Sequence, residues 1–200
     1  FIIFFKIVYI CGMTKVFTEI TRLSDKDCFY IVERHKTEFT YPLHRHKEFE
    51  LNFIQNGKGV RRIVGDSVEE IGDYELVLVG GEELEHVWEQ GSCQSKDIRE
   101  ITIQFSGDIF GNELLSKNQF ASIQRMLRRA EHGLSFPLST IMKVYSILDD
   151  IAHDKERFVQ FLKSLYILYE LSVSEDARVL ASSSFAHSPR KVESRRVEKV

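Results

Sequence analysis

Pro42-Leu43-His44-Arg45-His46-Lys47-Glu48-Phe49-Glu50-Leu51-Asn52-Phe53-Ile54 is the stretch whose pattern points to a β fold. Phe49, Leu51 and Phe53 alternate with Glu50, Asn52 and Ile54, the period of two of a β-strand, whose successive side chains leave opposite faces. Asn56-Gly57-Lys58-Gly59 then turns the chain. Downstream, Val60 to Val64 and Ser67 to Ile71 flank Gly65-Asp66, and Gly72-Asp73 leads into Glu75 to Val79. Ile101, Ile103 and Phe105 line one face of a last strand. Strands spaced by about 8–12 residues and punctuated by Gly-Asp and Asn-Gly predict an all-β sandwich or barrel from Cys28 to about Phe105.

Beyond Gly111 the period becomes helical. Phe120, Ile123, Met126, Leu127 and Ala130 form one apolar face, and Ile141, Val144, Tyr145, Leu148 and Ile151 a second. Phe158, Phe161, Leu162, Leu165, Leu168 and Leu171 form a third. Ser135-Phe136-Pro137 and the Ala152 to Glu156 stretch separate the three helices, and Ser139 is the expected cap of the second. The last two, joined by a short loop, are expected to pair as an antiparallel hairpin. From Val173 to Val192 the apolar rhythm fades into Ala181-Ser182-Ser183-Ser184 and Ser188-Pro189-Arg190-Lys191, the composition of a linker. Glu193 to Val200 reads as the beginning of a charged helix that the chain end interrupts.

At the other end, Phe1 to Cys11 is an apolar run holding one lysine. It lacks the basic n-region of a signal peptide and the ~20 residues of a bilayer span. Residues 1–14 are therefore read as lying upstream of a native start at Met13 or as disordered, and a cytoplasmic protein is expected. The 200 residues are 43% hydrophobic and carry a net charge of −3, enough for one real core and too acidic for a surface that neutralises phosphates. Three cysteines, Cys11, Cys28 and Cys93, fit neither a disulfide framework nor a zinc ribbon. There is no P-loop, Rossmann fingerprint, nucleophile elbow or EF-hand in the sequence. Arg61-Arg62, Arg125 and Arg128-Arg129 read as a solvated face, with Glu69-Glu70 and Glu82-Glu83 supplying opposite charge.

The chemistry concentrates at His44, His46, Glu48 and Glu50, which an extended strand projects to one side, with His86 and Trp88 further on. Two imidazoles and a carboxylate joined by a third imidazole suit Zn, Fe, Mn or Ni. The same polar groups also suit a hydrogen-bonded small molecule, or satisfy each other. The spacing of His44, His46, Glu50 and Gly57 resembles the first cupin motif at every defined position. The second cupin motif is partly present as Gly72-Asp73 and His86, with Gly80-Gly81 where a proline is usual.

The stretch from His44 to Ile54, Gly59 to Asp66, Leu76 to Gly80 and His86 to Trp88 further resembles AraC/XylS-type regulators, especially those of Bacteroides-like bacteria. The similarity runs through Glu100 to Phe105, the helices, Ser182 to Phe185, and Ser194 to Val200. The resemblance covers roughly residues 15 to 200. It implies a mainly β fold with C-terminal helices: a cupin-like (double-stranded β-helix) sensor barrel at 15–110 and a helical dimerisation region at 111–174. A linker at 175–192 and the start of a helix-turn-helix DNA-binding domain at 193–200 would follow. Expected partners are a small-molecule effector held by His44, His46, Glu48, Glu50, His86 and Trp88, a second copy met through the helices, and DNA through the domain that follows. No catalytic residue, membrane contact or cofactor is expected. A divalent metal on His44, His46, Glu50 and His86 is the exception the donor set allows, and a metal-dependent cupin enzyme of dioxygenase or sugar-isomerase type is the alternative function.

Overall fold

A computed structural model describes residues 16–182 and the backbone of residues 196 and 197. The expectation for residues 1–14 lies outside the described residues. Among the described residues, twelve strands form two sheets. In chain order they are β1 (Phe17–Glu19), β2 (Tyr30–Lys36), β3 (His44–Arg45), β4 (Phe49–Gln55), β5 (Arg61–Val64) and β6 (Ser67–Glu70). Then follow β7 (Tyr74–Val79), β8 (His86–Glu89), β9 (Ile98–Phe105), β10 (Leu134–Ser135), β11 (Arg178–Val179) and β12 (Arg196–Val197). The outer sheet runs β12-β1-β3-β8-β5-β6 and the inner sheet β11-β10-β7-β4-β9-β2. The helices are α1 (Gly111–Leu115), α2 (Ala121–Ala130), α3 (Leu138–Ile151) and α4 (Arg157–Ser172). The chain is thus mainly β with C-terminal helices, and its strands form two separate hydrogen-bonded sheets rather than one closed ladder.

The inner sheet is buried on both faces, and the period of two divides its residues between two neighbours. Leu51, Phe53, Leu76, Leu78, Ile101, Ile103 and Phe105 pack with α2, α3 and α4 in one core. The intervening positions face the outer sheet, where Ile54, Val77, Val79 and Ile98 meet Val60, Val64 and Trp88 in a second core. The register sets Leu51 beside Leu78 and Ile103, and Glu50 beside Val79 and Gln104. Glu50, Asn52, Glu75, Glu100, Thr102 and Gln104 are buried at these alternate positions. Hydrophobic and polar residues of β4 are therefore both inside, in different layers. Three of the four helices coincide with the expected apolar periodicities. Ser139 lies within the first turn of α3, and Pro137 occupies the N-cap, where its fixed φ suits entry to a helix.

The structure corrects four expectations. The histidine stretch is not one extended strand: β3 belongs to the outer sheet and β4 to the inner one, so residues 46–48 carry the chain between sheets. Arg62 is no solvated residue but is 2% exposed, and its charge is met by carboxylates from two strands. Residues 175–182, assigned to a linker, are packed: β11 pairs with β10, and Ala177 and Ala181 are buried. Arg196 and Val197 pair with β1 instead of opening a helix. The remainder of 183–200 lies outside the described residues. Gly81, standing where proline is usual, has φ +88°, a conformation closed to proline's fixed ring.

Candidate functional site

Two strand pairings bring the histidines together. β3 runs antiparallel to β8 with His44 directly opposite His86, which sets both imidazoles on one face of the outer sheet. His46 follows on the crossing segment, and Glu50 rises from β4 across the gap. Ring centroids stand 4.3 Å apart for His44 and His86, 4.9 Å for His46 and His86, and 5.8 Å for His44 and His46. One ring nitrogen from each of the three lies within 4.8 Å of the others. A second triad, made of Glu19, His46 and Glu50, meets the same limit and shares His46. All five side chains are buried.

The tautomers follow from the backbone. Nδ1 of His44 meets the Pro42 carbonyl at 2.9 Å, that of His46 the Glu48 carbonyl at 2.9 Å, and that of His86 the Leu84 carbonyl at 2.9 Å. A carbonyl only accepts, so each Nδ1 carries a hydrogen and each ring turns its Nε2 inward. His44 Nε2 lies 3.2 Å from Glu19 Oε2, and His46 Nε2 lies 3.5 Å from Glu50 Oε2. Two acceptors face each other comfortably at such distances when a proton or a cation lies between them. Histidines anchored through the remote nitrogen, with carboxylates alongside, are the arrangement that divalent metals use.

Other inner-sheet groups orient Glu50. Gln104 Nε2 donates to its Oε2 at 2.7 Å, and Asn52 Nδ2 to its Oε1 at 3.4 Å. Tyr41 lays its ring edge-on to His44 at 4.6 Å. Burial, then the charges of Glu19 and Glu50, push its hydroxyl well above the ordinary phenol range. A cleft of about 450 Å³ opens beside the centre, with Glu19, Arg45, His46, Glu48, Glu82 and Glu83 in its wall. Glu48 is half-buried there, its carbonyl committed to His46. A larger cavity of about 630 Å³ lies away from the histidines, between Cys28 to Ile31 and the start of α4.

Trp88 is buried between the sheets, its ring 6.1 Å from that of His86. Its indole N–H donates to Glu75 Oε2 at 2.7 Å, and Glu75 Oε1 accepts from Arg62 Nη1 at 2.6 Å. Burial pushes the Glu75 carboxyl upward, opposed by Arg62 and Trp88. Arg62 Nη2 reaches Glu69 at 2.6 Å, and Arg178 of β11 grips the same carboxylate through both its oxygens at 2.6 Å. The Arg178 hydrogen bonds, with Arg62 behind them, hold Glu69 down at about 2. A continuous polar chain thus links the ring beside His86 to the C-terminal strap. Sequence spacing selected His44, His46, Glu50 and His86 but missed Glu19, Tyr41 and Gln104, which no local motif contains.

The fold and site together define a two-sheet β domain, backed by helices, that holds a buried histidine–carboxylate centre. No protein-family model matches the chain, and no curated protein matches it. Solved structures of similar shape include apo ToxT from Vibrio cholerae, a variant form, at TM-score 0.44 and 14% identity, over 72% of this chain and 53% of that one. Unsaturated fatty acid bound wild-type ToxT from the same organism is similar at TM-score 0.42 and 15% identity, over 74% and 55%. The chain spans about half the length of these structures. Among the described residues no helix is long and apolar enough to cross a membrane.

Proposed function

We propose that this chain is the sensing and dimerisation part of an AraC/XylS-type transcription regulator, with a cupin-like β domain that receives a small-molecule effector at the histidine–carboxylate centre. DNA contact belongs, in this reading, to helix-turn-helix motifs C-terminal to residue 200. The observation that carries it is an apolar surface on the helical layer. Phe158, Leu162, Tyr166, Tyr169 and Val173 are exposed at spacings of four, four, three and four along α4 and just beyond it, with Leu138 and Met142 exposed on neighbouring α3. Such spacing draws one stripe along a helix, the seam that a second helix covers. A second copy in two-fold pairing is the partner this reading gives it.

The effector enters by the 450 Å³ cleft, whose Arg45, Glu48, Glu82 and Glu83 are the first groups it meets. The donor set at His44, His46, Glu50 and His86 fits a divalent ion, which when bound supplies open coordination positions for oxygen donors of the effector. Trp88, Glu75, Arg62, Glu69 and Arg178 offer the route by which occupancy is felt at the strap that leads out of the domain. Light scattering on the purified chain tests the reading: a dimer is expected, and Leu162→Glu with Tyr166→Glu should convert it to a folded monomer. A wild type that stays monomeric at about 100 μM, where even modest affinities are occupied, would overturn the dimer. The three converging imidazoles favour one second reading, a metal-dependent oxygenase or sugar isomerase. Steady turnover of a catechol or aldose by the Fe²⁺- or Mn²⁺-loaded chain would replace the regulator with that enzyme.

A further inference from the structure

We propose that Glu19, on the N-terminal strand β1, is an additional ligand of the centre, so that a divalent ion bound there also ties β1 to its neighbour β3 and, through Glu50, to the inner sheet; this rests on the metal reading above. Glu19 is 4% exposed, although Phe17 and Thr18 of the same strand are only half-buried. Its Oε2 stands 3.2 Å from His44 Nε2, and it completes the triad with His46 and Glu50. Two donors at ~2.1 Å from one ion are at most ~4.2 Å apart. Each triad lies within 4.8 Å, the two share His46, and Glu19 also touches His44; neighbouring ligands of one six-coordinate ion stand about 3 Å apart, so the five groups draw inward by up to about 2 Å on binding.

Charge points the same way. With the three rings in the neutral form that binds metal, they and the two carboxylates sum to −2, which a divalent cation cancels, and a buried site is least costly when its charges balance. Three nitrogen and two carboxylate donors exceed the four that a closed tetrahedral zinc site takes. They suit a six-coordinate ion of the Mn²⁺, Fe²⁺ or Co²⁺ kind with one position left for an exogenous oxygen. The lining of the cleft, with Asp25, Glu48, Glu82 and Glu83 against Arg45 and Lys47, draws cations inward. The strand itself is short. Phe17 pairs with His44 and Thr18 with Arg45, and the Phe17 N–H donates to the Leu43 carbonyl at 3.0 Å. A metal bond from Glu19 would therefore add a side-chain tether to a brief backbone ladder.

The test is Co²⁺ titration of the chelator-stripped chain, followed by visible absorption, with amide exchange read at residues 17–19. Wild type, Glu19→Gln, Glu50→Gln and His46→Ala are compared, each checked for folding by circular dichroism. Glu19→Gln is expected to weaken Co²⁺ at least ~10-fold and to alter the cobalt spectrum. Co²⁺ should slow exchange at 17–19 in wild type but not in Glu19→Gln. If Glu19→Gln binds like wild type while His46→Ala does not, Glu19 is an ion-pair partner of His44 alone, and the metal reading stands without it. If wild type takes up no Co²⁺, both the metal reading and the role of Glu19 fall. Should Glu19→Gln fail to fold, Glu19→Asp, a carboxylate one methylene shorter, must still show weakened binding for the assignment to survive.

Discussion

His44, His46 and His86 each give one nitrogen to a backbone carbonyl two residues away, and this local bond decides what the other nitrogen offers. The same economy of partners governs Arg62. Among the described residues it is the largest fully buried side chain, and its guanidinium bridges Glu75 and Glu69. Removing one member of a buried pair leaves the other charge stranded, which costs more than the pair contributes. Arg62→Met is therefore expected to destabilise the protein by about 3–5 kcal/mol in urea unfolding, and Arg62→Met with Glu75→Leu should recover most of that. A single variant as stable as wild type would show that Glu75 finds another donor.

At the scale of elements, the strap through β11 is fastened by charge as well as by backbone. Arg178 grips Glu69, and Ser182 donates its N–H to Asp66 at 2.8 Å and its hydroxyl at 2.5 Å. The Glu69 carboxyl titrates near 2 in the folded chain against an ordinary value of 4.5. A depressed carboxyl stabilises the fold fully above the ordinary value and loses that contribution as pH falls towards the folded one. The difference in urea midpoint between wild type and Arg178→Ala should be greatest above about pH 5 and vanish by about pH 2. A difference independent of pH would mean that Arg178 acts through packing alone. The strap escaped sequence reading because Arg178-Val179 has too few residues to show a period, and its partners Leu134 and Ser135 lie far back in the chain.

For the whole molecule, the inner sheet is the shared wall of two cores, so helices and outer sheet should unfold together. Phe53 faces the helices at 1% exposure, and Trp88, the sole tryptophan, reports from the other core. Phe53→Ala is expected to cost about 3–5 kcal/mol. Helical circular dichroism and Trp88 fluorescence should still share one transition. Separate transitions would show that the helical layer is an independent unit. A monomerising change on α4 should leave Co²⁺ affinity of the apo chain within about twofold, since sites without shared partners are nearly additive.

What was readable from one end of the chain to the other was whatever has a short period. Alternation in Phe49 to Ile54, the Gly-Asp and Asn-Gly turns, and the apolar faces of α2, α3 and α4 are properties of residues a few positions apart, and the backbone geometry of strand and helix makes them explicit. Spacing also singled out His44, His46, Glu50 and His86. It could not tell that Glu50 and Asn52 face inward like Leu51 and Phe53, because alternation distinguishes two faces without saying that both are covered. Nor could it reach Glu19, Gln104 or the burial of Arg62. Those depend on β1 lying beside β3, β4 beside β9, and β5 against β7 across the gap, and such long-range registers are fixed only when the two sheets close on one another.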